Sequence, residues 1–462
     1  MAEHIPLFEN FPPVSKQQWI EKIIRDLKGQ DYQEKLVYTT PDGITVHPCY
    51  TREDKPSLRQ PLFTHTHWEI MEHLVVEDPQ IAHKAILHAL QNGATGISLE
   101  IQNELNLSEL LKDVELPYIQ TIFHVQGQSA WFIQQLNQLI QQRGYDKKSL
   151  QIAVNLDYIH RVLQTGKWEQ SEKEDANQWK QAQSLLGDLQ SVYIQGSLYH
   201  EAGASPACEL GALIAHVHTY LSLVAEDDPQ LQTLSRLFVE IAVGQDYFME
   251  IAKLRALRKL YALLIEEWGI EIPLHVHGVT AARNLTVLDS YNNLLRTSTA
   301  AMAAVCGGCN SLVVMPFDQP LKKPDAFSLR MARNIQLILR DESYMDKIAD
   351  PAAGSYYIES LTMELAEKAW KNFQEIEKQG GLIAVVQQGS LQEEIVKTAK
   401  AAEKAFKEGK IILVGTNKFP NPAEKPELMR KTTTHDFADK DLQPLIPVRL
   451  AESIENERIS IS

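Results

Sequence analysis

The stretch "YIQGSLYHEAGAS", residues 193–205, places Tyr199 and His200 just beyond the apparent end of a β-strand. A phenol and an imidazole side by side on the functional face of a barrel fold could play a catalytic role. Loop packing by the same two side chains is the other reading, and the pair alone does not decide between them.

Other groups have chemical spacing. Cys306-Gly307-Gly308-Cys309 has the spacing of a redox pair or half a zinc site, but no second pair follows at zinc-finger distance. An inert helix-to-strand turn, with glycine taking a positive φ, is the alternative. His275 with His277, and His65 with His67, put two imidazoles on one strand face; a metal would need a third ligand converging on them. His216 and His218 sit in a helical segment, where i and i+2 diverge. Asn292, Asn293 and Arg296 form a polar cluster at a helix start, suited to an anionic ligand, a neighbouring loop or simple capping.

These residues must be positioned by the elements around them. From residue 64 to 318, β-branched runs alternate with amphipathic segments, and eight runs are expected as strands. They start at Thr66, Thr95, Tyr118, Gln151, Ser191, Phe238, Leu274 and Ser311. Asp78-Pro79 opens a helix that Gly93 closes, and Gly144 closes another. The longest helix begins near Gln245 and repeats Phe248, Ile251, Leu254, Leu257, Tyr261, Leu264, Ile265 and Trp268 on one expected buried face. Strand-helix alternation implies parallel strands, and eight repeats imply a (β/α)8 TIM barrel, an α/β fold; a nine-strand open sheet is the alternative. The third and fourth connections are the least regular, because the segment after residue 101, "QNELNLSELLKD", could be only a short helix.

The expected organisation is an N-terminal arm and helix over 1–63, the barrel over 64–345, a C-terminal helical layer over 346–419, and a polar tail or linker over 420–462. A formal charge of −15 and the lack of a basic block argue against nucleic acid. The amino terminus has no charged-then-apolar leader and no run of 18 apolar residues occurs, so no membrane association and a cytoplasmic location are expected. Four cysteines in 462 residues are too few for a disulfide framework.

Three long motifs, "FMEIAKLRALRKLYALL", "SYNNLLRTSTAAMAAVCGG" and "DPAAGSYYIESLT", resemble the methylmalonyl-CoA mutases, and specifically their small (beta) subunit, over residues 11 to 418. The resemblance implies an adenosylcobalamin-dependent complex that interconverts methylmalonyl-CoA and succinyl-CoA by radical chemistry, inside a barrel threaded by the CoA tail. The family's flavodoxin-like cobalamin domain carries Asp-x-His-x-x-Gly, a motif not found in these 462 residues. The cofactor is therefore expected on the partner chain, with none bound by this chain alone and no metal site.

The resemblance also implies a degenerate site. Catalytic members carry Tyr-His after the glycine that ends strand five, then two residues, then Glu-Ala-Gly-Ala. Aligned on Glu201-Ala202-Gly203-Ala204, this chain has Ser197 and Leu198 at those positions, and leucine has no proton to give a thioester. Tyr199 and His200 come two residues late. On an extended backbone they would keep the face but move by roughly 6.6 Å, too far for catalytic placement. In strand seven, His277-Gly278-Val279-Thr280-Ala281-Ala282 stands where catalytic members resemble His-Cys-Gln-Thr-Ser-Gly. The expected role is a non-catalytic subunit paired with the catalytic large subunit. The alternatives are a catalytic barrel whose cobalamin domain is a separate chain, and a thiol-redox protein built on Cys306 and Cys309.

Overall fold

The computed structural model describes residues 13–54, 61–125, 127–421 and 441–461. The eight expected strands all form: β1 Glu69–Val76, β2 Gly96–Ile101, β3 Gln120–Val125, β4 Ile152–Asn155, β5 Val192–Gln195, β6 Leu237–Val243, β7 Leu274–Thr280 and β8 Ser311–Val313. All pair in parallel, in the order β4-β3-β2-β1-β8-β7-β6-β5. Because β8 pairs with β1, the sheet rolls into a barrel and the open-sheet alternative is set aside.

One seam interrupts the ring. No backbone ladder joins β4 to β5 among the described residues. Side chains span it instead: Asn155 Nδ2 donates to Gln195 Oε1 at 2.7 Å, the Gln195 N–H donates to Asp157 Oδ2 at 2.8 Å, and His160 Nδ1 donates to the Gln195 carbonyl at 2.9 Å.

The helices follow local rules. In α1, Lys16–Asp26, Ser15 and Gln18 make a reciprocal capping box. In α2, Pro79–Gln91, the Asp78 carboxylate accepts from the N–H groups of Gln80 and Ile81. The connection between β2 and β3 holds the four-residue α3, Leu107–Leu110, followed by a 3-10 turn, Leu116–Tyr118. Gly144, at φ 66°, closes α4, Ser129–Arg143. Two helices, α5 Tyr158–Thr165 and α6 Glu172–Leu186, follow β4.

After β5 come the short α7, Ser197–Glu201, and α8, Pro206–Ala225. The latter is long and apolar enough to cross a membrane, but 78% of its most apolar window is buried inside the fold. It packs against α9, Tyr247–Trp268, and against α12, Tyr356–Lys378. Here the one-face expectation for α9 needs correcting. From Met249 to Leu257 the helix is buried all round, Lys253 and Arg255 included, because it lies between the barrel and α12, whereas Phe248 is 46% exposed. Arg255 can be buried because Asp350 and Glu359 both bind its guanidinium.

Further helices are α10 Asn292–Cys306, α11 Ala326–Leu337, α13 Leu382–Gln388, α14 Ser390–Lys407 and α15 Glu452–Ile461, and a short helix, Tyr32–Leu36, lies in the arm. The extended passage of the arm forms a two-stranded ribbon, pairing Tyr38 with Val46 and Thr39 with Thr45. Residues 1–12 of the arm and 422–440 of the tail lie outside the described residues. Residues 442–450 run over the carboxyl-end rim of the barrel. Their N–H groups bond carbonyls of Gly166 and Leu163 on the β4 side, then of Glu201 on the β5 side and Arg283 after β7.

Candidate active-site cavity

Strand alternation builds the barrel interior in levels. Met71, Ile122, Ala153, Tyr193, Phe238 and Val313, one each from six strands, make a single buried apolar cluster inside the ring. Two residues further along the same strands stand His73, His124, Asn155, Gln195, Glu240 and Met315, and these line a cavity of about 860 Å³ at the carboxyl ends. The interior is thus filled below and open above, with the opening where barrels of this type do their chemistry.

The polar level is wired in one direction. Asn155 Nδ2 donates to His124 Nδ1 at 3.0 Å, which makes that nitrogen an acceptor and leaves the proton on Nε2. His124 Nε2 then donates to Ser98 Oγ at 3.0 Å, and the Ser98 hydroxyl donates to His73 Nδ1 at 3.1 Å. The other His73 nitrogen faces Glu100 at 3.8 Å and, with burial opposing, holds that carboxyl down to about 2. Burial drives His124 well below the usual imidazole range, so it is neutral. Across the barrel, Glu240 accepts from Tyr193 Oη at 2.8 Å and from the Ser197 hydroxyl. His275 Nε2 and His277 Nδ1 share Ser311 Oγ at 2.8 and 2.7 Å, and burial pushes both rings to about 3.

The structure separates the four residues that follow strand five. Ser197–Glu201 is a helical turn and not extended chain, because the Tyr199 N–H bonds the Gly196 carbonyl and that of Ala202 the Leu198 carbonyl. The expectation that Tyr199 and His200 keep the face of the aligned positions is therefore corrected. Ser197 and Glu201 line the cavity; Leu198 is buried in the main core. Tyr199, 0% exposed, puts its hydroxyl 3.2 Å from His216 Nδ1, whose Nε2 is 3.1 Å from Asp157. His200 lies against Gly244 and next to Glu209 and Lys253. Burial opposes the charge of Lys253, yet Glu209 and Glu250 outweigh it and hold its pKa above the ordinary value.

Asn292, Asn293 and Arg296 hold chain together. Asn292 Nδ2 binds Asp289 at 2.6 Å, and Asn293 Nδ2 reaches the carbonyls of Thr286 and Phe317, both at 2.8 Å. Arg296 donates to Thr286 Oγ1, to Asn293 Oδ1 and, at 2.7 Å, to the Val414 carbonyl. Of the readings open for this cluster, these bonds match the neighbouring loop. Cys309 is buried, and Gly308 takes the positive φ of the turn at 86°. His65 Nε2 donates to the Cys309 carbonyl at 3.3 Å, and His218 pairs with Glu377. No group of three metal-type ligands converges among the described residues.

Sequence reasoning missed the wired set of His73, Ser98, Glu100, His124, Asn155, Gln195 and Glu240. A signal existed: all but Glu100 continue, at i+2, a strand face whose preceding residue is apolar or glycine, so a polar group there marks the end of the packed interior.

The family model for methylmalonyl-CoA mutase matches residues 88–458. The methylmalonyl-CoA mutase small subunit of Porphyromonas gingivalis is 32% identical, over 98% of this chain and 78% of that protein. That of Streptomyces virginiae is 30% identical, over 91% and 73%. A Cereibacter sphaeroides protein named methylmalonyl-CoA mutase is 27% identical, over 88% of this chain and 65% of its own length. With its barrel, its motifs and these relatives in agreement, the chain belongs to the methylmalonyl-CoA mutase family.

Proposed function

We propose that this chain is the non-catalytic small subunit of an adenosylcobalamin-dependent methylmalonyl-CoA mutase, paired as a heterodimer with a catalytic large subunit. The observation that carries the reading is the filled barrel axis. Tyr193, Phe238, Met71, Ile122 and Val313 occupy the path along which the family's CoA tail would thread, all of them buried. Leu198, aligned with the catalytic histidine, is in the core, and Tyr199 bonds His216 away from the cavity. Residues 442–450 cross the rim above, and Pro447 lines the cavity.

The residues present do not fit the corrin. The described strands form the barrel and one short ribbon, with no second parallel sheet. No step is derived through the cofactor, which we assign to the partner chain.

The test is a pull-down of the tagged chain from its source, with mass-spectrometric identification of stoichiometric partners. A long partner with Gly-Tyr-His and Asp-x-His-x-x-Gly is expected. A short partner with only the cobalamin motif would overturn the reading and make this barrel the catalytic one.

A further inference from the structure

The cavity wall holds a hydroxyl, an imidazole and a carboxylate in contact. In the register of β1 and β2, His73 stands opposite Ser98, and Glu100 follows Ser98 on the same strand face. The Ser98 hydroxyl donates to His73 Nδ1 at 3.1 Å, which leaves the ring proton on Nε2, the nitrogen that faces Glu100 Oε2 at 3.8 Å. Glu100 is ionised at neutral pH, and its other oxygen accepts from Gln102 Nε2 at 3.0 Å. From β3, His124 Nε2 donates to Ser98 Oγ at 3.0 Å, a bond that strengthens as the serine proton leaves and charge gathers on the oxygen. Ser98 Oγ thus sits between a donor and a base. All four side chains line the cavity. Their sequence of contacts is that of a serine nucleophile, its general base and the carboxylate that orients the base.

We propose that Ser98, His73 and Glu100 form an acyl-transfer site that hydrolyses small neutral carboxylic esters. His73 Nδ1 takes the Ser98 proton as Oγ bonds to the ester carbonyl carbon, and the same proton passes to the departing alkoxide as the carbon–oxygen bond breaks. Water then attacks the acyl-serine and gives a proton to His73, which returns it to Oγ as the carboxylic acid departs. Glu100 holds the ring and balances its charge in both steps. The walls set the substrate: Glu100, Glu201 and Glu240 repel carboxylates and phosphates, and Ser98, 1% exposed at the wall, restricts the acyl group to a short chain such as acetyl. This goes beyond the subunit assignment and stands or falls separately from it, because the reaction belongs to the lone chain and uses neither a partner nor cobalamin.

Two measurements on the full chain test it: hydrolysis of p-nitrophenyl acetate, and peptide mapping by mass spectrometry after exposure to a fluorophosphonate, which phosphonylates activated serines. Saturable hydrolysis and labelling at Ser98 are expected. Ser98→Ala should remove both, His73→Gln should slow both by about 100-fold or more, and Glu100→Gln should slow both by about tenfold or more. The exposed control Glu394→Gln, on α14, should change neither. Melting curves check the folding of each variant, and if Ser98→Ala fails to fold, His73→Gln and the labelled peptide carry the test. A fluorophosphonate that leaves Ser98 unmodified, hydrolysis unchanged in folded Ser98→Ala or His73→Gln, or labelling of Ser98 that is indifferent to His73→Gln would each overturn the proposal.

Discussion

Asp157 and Gln195 tie together two barrel strands that no backbone ladder joins: the Gln195 N–H donates to Asp157 Oδ2 at 2.8 Å. The same carboxylate also accepts from the His160 N–H at 2.9 Å, from Tyr220 Oη at 2.8 Å and from His216 at 3.1 Å. Asp157→Ala leaves these buried donors unpaired, and a loss of about 3 kcal/mol or more is expected in urea unfolding. A change within error would remove Asp157 from the seam's support.

The same residue sets a pH dependence. Burial opposes the charge of Asp157, but His216 and its hydrogen bonds prevail and lower the pKa to about 2. A depressed carboxylate stabilises the fold above its unfolded pKa of about 4, and that contribution fades as pH falls toward the folded value. The term amounts to about 2 kcal/mol, and Asp157→Asn should flatten the stability profile between about pH 4 and pH 2 relative to the parent chain.

Phe238 fills the barrel axis at 0% exposure. Phe238→Ala is expected to cost about 3–5 kcal/mol, since a packed ring inside a closed sheet cannot be replaced by collapse of its neighbours. A much smaller cost would mean that the axis is loosely packed and open to ligands.

Two glycines of similar φ should respond differently to alanine. At Gly308, φ 86°, a Cβ would lie 2.4 Å from the Phe63 ring; at Gly354, φ 82°, it meets nothing within 4 Å. Gly354→Ala should cost about 1 kcal/mol from the backbone alone, and Gly308→Ala clearly more, read as paired melting temperatures. Equal losses would show that Phe63 yields freely.

Thiol alkylation at neutral pH separates a structural Cys306-Cys309 pair from a redox pair. Burial pushes the Cys208 and Cys309 thiols up to about 12 and raises that of Cys306, so half-buried Cys49 should be modified first. Fast modification of Cys306 or Cys309 in the folded chain would revive the thiol-redox alternative.

The fold was legible because each strand carries its own period and each helix its own punctuation. Asp78-Pro79, Gly144 and the β-branched runs act locally, so the sequence exposes them. The burial of Lys253 and Arg255 in α9 is not legible locally, since their partners Glu209, Asp350 and Glu359 arrive from elements far away in the chain. The positions of Tyr199 and His200 depend on the chain turning helical directly after Gly196, which the residues of strand five do not announce. The directed path from Asn155 to His73 joins four strands, and its bonds depend on register, which a single strand's residues do not specify.

The path of residues 442–450 has a bearing on biogenesis. The N–H of Leu445 bonds a carbonyl on one flank of the seam and that of Val448 a carbonyl on the other. Both flanking strands leave the ribosome long before this clasp is synthesised. The nascent barrel must therefore wait with two unladdered strand edges side by side, bridged by Asn155, Asp157, His160 and Gln195, and during that interval those edges are open to pairing with another chain.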